Sequence, residues 1–139
     1  MKRLFSDKTD WLFSEYAYNI YEKCLYNKTF KEYKRIISTY LEHPDIKCFF
    51  CSVENKNVGI IVYQLLQNDT AEILGIAVAD FAQNKGVGTY MIRESAKALS
   101  SKKIIAETPI SSNLLIESIS FLIYSKKRNN SLSCSTIIL

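Results

Sequence analysis

The stretch "QNKGVG", residues 83–88, contains two of the four glycines of this 139-residue chain. It follows an apolar run, "AEILGIAV", and precedes "TYMIRESAKAL", which is typical of a helix. The glycines therefore lie where a strand is expected to turn into a helix. The N-terminus of a helix exposes unpaired backbone N–H groups with a partial positive charge, and glycine lets an anion approach them closely. The spacing predicts a phosphate cradle at this turn.

Two common phosphate-binding motifs are excluded at the glycine turn. No GxxxxGK[ST] occurs, and Lys85 precedes its glycine, so the turn is not a P-loop. The dinucleotide fingerprint needs a third glycine at position 91, where the chain has Met91. A tight turn with close packing of helix against strand is the alternative interpretation of Gly86 and Gly88.

Two helices are predicted ahead of the glycine turn, after a short first strand at residues 2–5. Apolar residues recur at helical spacing over 9–25 and again over 27–43. Thr9 or Asp10 is expected to cap the first of these helices.

Strands and helices alternate around the glycine turn. The expected elements are strands at 46–53, 58–67 and 71–79, a helix at 87–101, a strand at 103–108, a helix at 111–127 and a strand at 131–139. The four-residue turn "ENKN" makes the first two of these strands a hairpin. The strand–helix–strand order predicts a right-handed crossover, with strands 71–79 and 103–108 parallel. The inward face of the helix after the glycines is expected to include Val87, Met91, Ala98 and Leu99.

Composition favours one soluble globular domain over residues 1–139, with 47% hydrophobic and 23% charged residues. The net charge of +4 is too small and too scattered for a nucleic-acid-binding surface. No apolar run reaches the roughly 18 residues that span a bilayer. We expect a cytoplasmic protein with no nucleic-acid or membrane partner.

The cysteines and the single histidine give no metal or redox site. "CFFC" joins Cys48 and Cys51, but there is no second such pair to complete a zinc site. The segment is expected to be a strand, where this odd spacing directs the two thiols to opposite faces. Buried or half-buried free thiols are therefore predicted. His43 precedes a proline and is expected to be a solvated turn residue.

In this context the motif resembles a known family. The pattern Gln83-x-x-Gly86-x-Gly88 after an "AEILGIAV" strand is similar to the acetyl-coenzyme A motif of the GCN5-related N-acetyltransferases. The order of elements matches the family over residues 1 to about 125. The resemblance implies a mixed α/β fold with a mostly antiparallel sheet flanked by helices, and a splayed parallel pair beside the motif helix.

The resemblance also implies acetyl-CoA as the cofactor. The diphosphate would be bound by backbone amides of the turn, and the pantetheine would pair with the preceding strand as an added strand does. The residues implied are Ile76, Ala77, Val78, Gln83, Asn84, Lys85, Gly86, Val87, Gly88 and Thr89.

Acetyl transfer to nitrogen needs a neutral amine, hence a base to remove its proton. The expected base is Glu72, at the start of the motif strand in "AEI". Histone-acetylating members of the family have their glutamate in similar surroundings. The alternative is that Glu72 is a solvent-facing strand residue. Glu107 is the second candidate. The resemblance also implies a tyrosine on the last helix that protonates the departing thiolate. Tyr124 is the tyrosine nearest to that position, although it is out of the family's register. The alternative is an aromatic residue on the helix face with no catalytic role.

The C-terminus departs from the family. About 15 residues remain after the last expected helix, enough for one strand where the family has two. The C-terminal strands are therefore expected to be shortened, and a second copy of the chain could supply the missing strand, which predicts a homodimer.

Three functions remain open. The first is an acetyl-CoA-dependent N-acetyltransferase acting on a primary amine of a small molecule or protein. The second is a non-catalytic acyl-CoA-binding or regulatory module of the same fold. A nucleic-acid-binding domain is the third and fits the scattered basic residues poorly.

Overall fold

The structure is a computed structural model that describes residues 1–5, 10–100, 103–109, 122–128 and 132–138, with side chains described as far as residue 106. Within these ranges it has three α-helices and one sheet of seven strands. The strands are β1 (Lys2–Phe5), β2 (Ile46–Val53), β3 (Lys56–Leu66), β4 (Thr70–Val78), β5 (Lys103–Pro109), β6 (Leu122–Arg128) and β7 (Leu132–Ile138). The helices are α1 (Glu15–Tyr21), α2 (Phe30–Glu42) and α3 (Val87–Leu99).

The sheet is mixed and mostly antiparallel, with the order β1-β2-β3-β4-β5-β7-β6. Among the described strands, β4 and β5 alone pair in parallel, and α3 is the crossover between them. The expected fold class and the expected parallel pair are therefore confirmed. None of the helices in the described ranges is long and apolar enough to cross a bilayer.

The two layers of helix lie on opposite faces of the sheet. A Cβ on Gly59 of β3 would meet the side chain of Met91 on α3, whereas a Cβ on Gly75 of β4 would meet Tyr21 on α1. Gly75 pairs with Val62, three residues along β3 from Gly59, and an odd spacing on a strand reverses the face. The core therefore has two halves, one on each side of the central strands.

Local signals set the helix ends in the first half of the chain. Thr29 and Glu32 form a complete capping box at the start of α2, in which the Thr29 hydroxyl accepts from the Glu32 N–H at 3.2 Å. Helix α1 begins later than expected: a 3₁₀ turn occupies Asp10–Phe13, and Ser14 is the N-cap, accepting from Ala17 N–H at 3.1 Å. Asp10 is therefore not the cap, and Thr9 lies outside the described residues.

The hairpin between β2 and β3 is tighter than predicted. Glu54 and Asn55 both take positive φ, 51° and 64°, which makes a two-residue turn that matches the twist of the strands. Strand β3 therefore starts at Lys56 instead of residue 58. Asparagine tolerates this left-handed conformation better than most residues do.

A β-bulge separates β4 from β5. Val62 pairs with Gly75 and Tyr63 with Ile73, so Leu74 is an extra residue on β4. Pairing of β4 with β5 ends at Ile73, the residue before the bulge, although β4 continues to Val78. Because a bulge bends and twists its strand, β4 leaves β5 at this point and its later residues form an open edge.

The C-terminal prediction was wrong in two respects. The helix expected at 111–127 is a strand from Leu122 onward, β6, which pairs with β7 as an antiparallel hairpin. Residues 110–121 lie outside the described ranges, so the first part of that helix is untested. Two strands of seven residues follow β5, so the expected shortening to one strand is also wrong. The apolar run "FLIY" has no clear period, and such runs fit a buried helix or a strand equally well.

Candidate cofactor site and active site

The glycine turn leads directly into α3. Gly86 is the N-cap residue, with φ 77° in the left-handed region that glycine adopts without strain. The first main-chain bond of the helix runs from the Tyr90 N–H to the Gly86 carbonyl, at 3.0 Å. The N–H groups of Val87 and Gly88 therefore have no partner within the helix, and Gly86 itself is exposed. The turn presents backbone donors at the positive end of the α3 dipole, as a phosphate requires.

The side chains of the turn divide into exposed and packed groups. Gln83, Asn84 and Lys85 are exposed, whereas Val87 is buried in the core and anchors the start of the helix. The Gln83 amide donates to the Val78 carbonyl at 3.2 Å and to Asp80 Oδ1 at 3.3 Å. Gln83 thereby ties the turn to the end of β4.

Strand β4 presents two residues toward its open edge. The Ala79 N–H donates to the Val58 carbonyl at 2.8 Å, and antiparallel pairs alternate between bonded and non-bonded. Ala77 therefore directs its main chain toward β3, while Ile76 and Val78 direct theirs away from it. Of the three strand residues predicted to line the cofactor, these two have polar groups facing the opening.

The link after α1 covers the carbonyls of that edge. The Cys24 thiol donates to the Ile76 carbonyl at 3.3 Å, and burial raises the pKa of this thiol to about 11. The Lys23 ammonium donates to the Val78 carbonyl at 3.4 Å and forms an ion pair with Asp80. The carbonyls of Ile76 and Val78 are thus satisfied by side chains, and within the described residues their N–H groups remain available.

Lys2 is a neighbour of the turn that sequence reasoning missed. Its Nζ lies 3.6 Å from the position of a Cβ built on Gly86. The Tyr90 hydroxyl donates to the Lys2 carbonyl at 2.9 Å. Lys2 and Gly86 are distant in sequence, so no local pattern could have signalled the contact; it depends on β1 lying at the edge of the sheet beside α3.

The two candidate bases flank the point where β4 and β5 part. The last pair of the ladder is Ile73 with Ala106. Glu72 precedes the first of these and is half-buried, and Glu107 follows the second. The described structure thus brings the main chains of both glutamates to the opening, while the Glu107 side chain lies outside the described residues.

Tyr124 lies on a strand, contrary to the helical position predicted for it. Strand registers place Glu72, Ile105, Thr136 and Tyr124 in one row across β4, β5, β7 and β6. Three strand spacings of about 4.8 Å each separate the ends of this row. The helical position was predicted because the apolar run "FLIY" fits a helix and a strand equally well, and the structure has the strand β6 there.

The described part of the chain has no further candidate centre. No group of three metal-ligating side chains occurs there. Cys48 and Cys51 are buried free thiols: Cys48 pairs with Val62, and Cys51 with Gly59, so they face opposite sides of the sheet as predicted. A cavity of about 400 Å³, lined by Ala98 among others, lies near the C-terminal end of α3, far from the glycine turn. Ala98 is exposed, although it was predicted to face inward. Of the other residues predicted to face inward, Val87 and Met91 are buried and Leu99 is half-buried.

Comparison with solved structures shows a fold shared with acetyltransferases. The fold is similar to the ribosomal-protein-S18-alanine N-acetyltransferase from Escherichia coli, with a TM-score of 0.73 and 18% identity over 99% of this chain and 94% of that one. It is also similar to a GNAT family acetyltransferase from Elizabethkingia anophelis with acetyl-CoA bound, with a TM-score of 0.68 and 20% identity over 99% of this chain and 98% of that one. A third similar structure is a spermidine N-acetyltransferase chimera from Vibrio cholerae and hSSAT. It has a TM-score of 0.73 and 15% identity over 99% of this chain and 95% of that one.

The sequence then gives the family. The model of the acetyltransferase (GNAT) family matches residues 9–114, so the chain belongs to the GNAT acetyltransferases. None of the curated proteins compared with the chain matches it significantly. Family membership confirms the resemblance stated above and acetyl-CoA as the cofactor.

Proposed function

We propose that this chain transfers the acetyl group of acetyl-CoA to the nitrogen of a primary amine on a small molecule or a protein. The observation that carries the proposal is the left-handed Gly86 at the start of α3, which follows the part of β4 that has left β5. A diphosphate bound at the helix N-terminus would direct the pantetheine into that opening. The acceptors named for the structural neighbours, an alanine of ribosomal protein S18 and spermidine, are both amines.

Residue roles follow from this arrangement. Backbone amides between Gln83 and Thr89 bind the diphosphate, and the open edge of β4 at Ile76 and Val78 pairs with the pantetheine. The amine proton passes to Glu72, or to Glu107, as the nitrogen attacks the thioester carbon. A backbone N–H of β4 near Val78 stabilises the oxyanion of the tetrahedral intermediate, whose C–S bond then breaks.

The departing thiolate of coenzyme A takes up a proton, and Tyr124 is the proposed acid. Its position on β6 is three strands from Glu72, which makes protonation of the thiolate at the opening harder. This position therefore supports the second candidate function, a non-catalytic acyl-CoA-binding module. Homodimer formation remains a prediction, although the missing strand that motivated it is present.

Two variants of equal shape test the cradle. Gly86→Asn and Gly86→Asp both tolerate the left-handed conformation, but only the second adds a negative charge at the turn. Isothermal titration with acetyl-CoA should show a much weaker affinity for the aspartate variant than for the asparagine variant. Equal affinities would place the diphosphate elsewhere.

Thiol release separates the enzyme from the module. The wild-type chain is incubated with acetyl-CoA and a panel that includes spermidine and a peptide beginning with alanine. Release of free coenzyme A above the rate without amine supports the transferase. Tight acetyl-CoA binding without release for any primary amine supports the binding module.

A further inference from the structure

We propose that Lys2 is a cofactor-binding residue whose ammonium contacts the diphosphate of coenzyme A at the N-terminus of α3. The inference rests on the proposed role of the glycine turn and adds to it a residue from the opposite end of the sequence. Strand β1 thereby becomes part of the cofactor site.

The position of the ammonium supports this role. Lys2 Nζ lies 3.6 Å from the site of a Cβ on Gly86, which is the side of the turn that the absence of a side chain leaves open. An anion resting on the N–H groups of Val87 and Gly88 would approach over this same glycine. The ammonium is therefore within reach of an oxygen bound there.

The local charge is unbalanced without an anion. The N-terminus of α3 is the positive end of its dipole, and a cation beside it is unfavourable. Within the described residues, Lys2 has no carboxylate within ion-pair distance, since Glu54 pairs with the Met1 amino group and Glu94 with Lys97. Lys85 adds a further positive charge to the turn. A bound diphosphate would neutralise these charges together.

The main chain of Lys2 is held in place, and its side chain lies against Tyr90. The main chain of Lys2 pairs with Val53 on β2, and its carbonyl accepts from the Tyr90 hydroxyl at 2.9 Å. Its ammonium lies 5.9 Å from the centroid of the Tyr90 ring, and the residue is half-buried. Less conformational freedom is therefore lost when a ligand binds, which favours affinity.

The test compares two ligands and two lysines. Lys2→Gln removes the charge, and Lys31→Gln removes the charge of an exposed lysine on α2 as the matched control. Each variant is titrated calorimetrically with coenzyme A and with 3′-dephospho-coenzyme A. We expect Lys2→Gln to weaken both ligands about tenfold or more, as loss of a charged hydrogen bond does, and Lys31→Gln to leave both unchanged.

Each other outcome overturns the proposal. Unchanged affinity of the Lys2 variant would show that the ammonium does not contact the cofactor. If the Lys2 variant loses affinity for coenzyme A but not for 3′-dephospho-coenzyme A, the ammonium contacts the 3′-phosphate instead of the diphosphate. If the wild-type chain itself fails to bind, the cradle and the proposed function fail with it. Lys2→Met, which keeps the apolar stem, replaces Lys2→Gln if thermal melting shows that the glutamine variant is unfolded.

Discussion

The phenol oxygen of Tyr21 lies over Gly75, only 2.2 Å from where a Cβ at residue 75 would stand. Tyr21 is buried at the end of α1, and Gly75 follows the bulge residue Leu74 on β4. The contact packs α1 against the part of β4 that has left β5. A glycine is needed here because the ring occupies the space of a side chain.

Replacing Gly75 with alanine should therefore destabilise the chain by about 1–3 kcal/mol, the usual cost of overpacking a core. Gly59→Ala is the matched control, because its new Cβ meets the flexible end of Met91 at 2.8 Å and the Ala77 carbonyl oxygen only at 3.4 Å. The free energy of unfolding in urea should fall clearly more for the first variant. Equal losses would mean that Tyr21 moves aside as easily as the methionine does.

Glu72→Gln should lower kcat for acetyl transfer about a hundredfold or more, since a general base contributes this much, while the Kd for acetyl-CoA stays unchanged. Glu107→Gln is the comparison, because Glu107 lies on the other side of the opening. Steady-state rates and calorimetric titration of both variants give the two quantities. A larger kcat loss for Glu107→Gln would exchange the two roles.

Two buried thiols and one half-buried thiol predict a loss of stability at alkaline pH. Burial raises the pKa of Cys24, Cys48 and Cys51 to about 11 each. Unfolded cysteines ionise near pH 8.5, so the unfolded state releases protons first as the pH rises. The contribution to stability is complete below about pH 8.5 and disappears as the pH passes through 11.

Urea unfolding between pH 8 and 11 measures this effect directly. The triple variant with alanine at Cys24, Cys48 and Cys51 should lose less stability over that window than the wild type does. The wild-type thiols should also react slowly with iodoacetamide at pH 8, and rapidly in denaturant. Fast labelling of Cys48 and Cys51 in the native state would contradict their burial.

Tyr63 and Ser95 form a buried hydroxyl pair, with 2.7 Å between the two oxygens. The Ser95 hydroxyl donates to the Met91 carbonyl, so the Tyr63 hydroxyl is the donor within the pair. Ser95→Ala leaves that phenol without its acceptor and should cost about 1–3 kcal/mol. In the Tyr63→Phe background the same change should cost less, and a double-mutant cycle by urea unfolding measures the difference. Additive losses would show that the two hydroxyls are not coupled.

The helices and strands that follow local rules could be predicted from the sequence. The helical spacing over 27–43 predicted α2, whose Thr29–Glu32 capping box fixes the start, and the run 46–53 coincides with β2. The glycine turn could be located because the signal for it, a glycine directly before a helical pattern, lies within a few consecutive residues. The apolar run before Tyr124 has no such signal, so β6 was mistaken for a helix.

The sequence alone thus determined the family, the fold class and the place of the glycine turn, because the motif and most element signals depend on residues close together in the chain. Only the tertiary structure decided that Lys2 lies beside Gly86, that Tyr21 lies over Gly75, and that Glu72 and Glu107 flank one opening. These relations depend on sheet order, on register and on the single extra residue Leu74. Strand pairing brings together segments that are far apart in sequence, and a shift of one residue would reverse the face of every side chain.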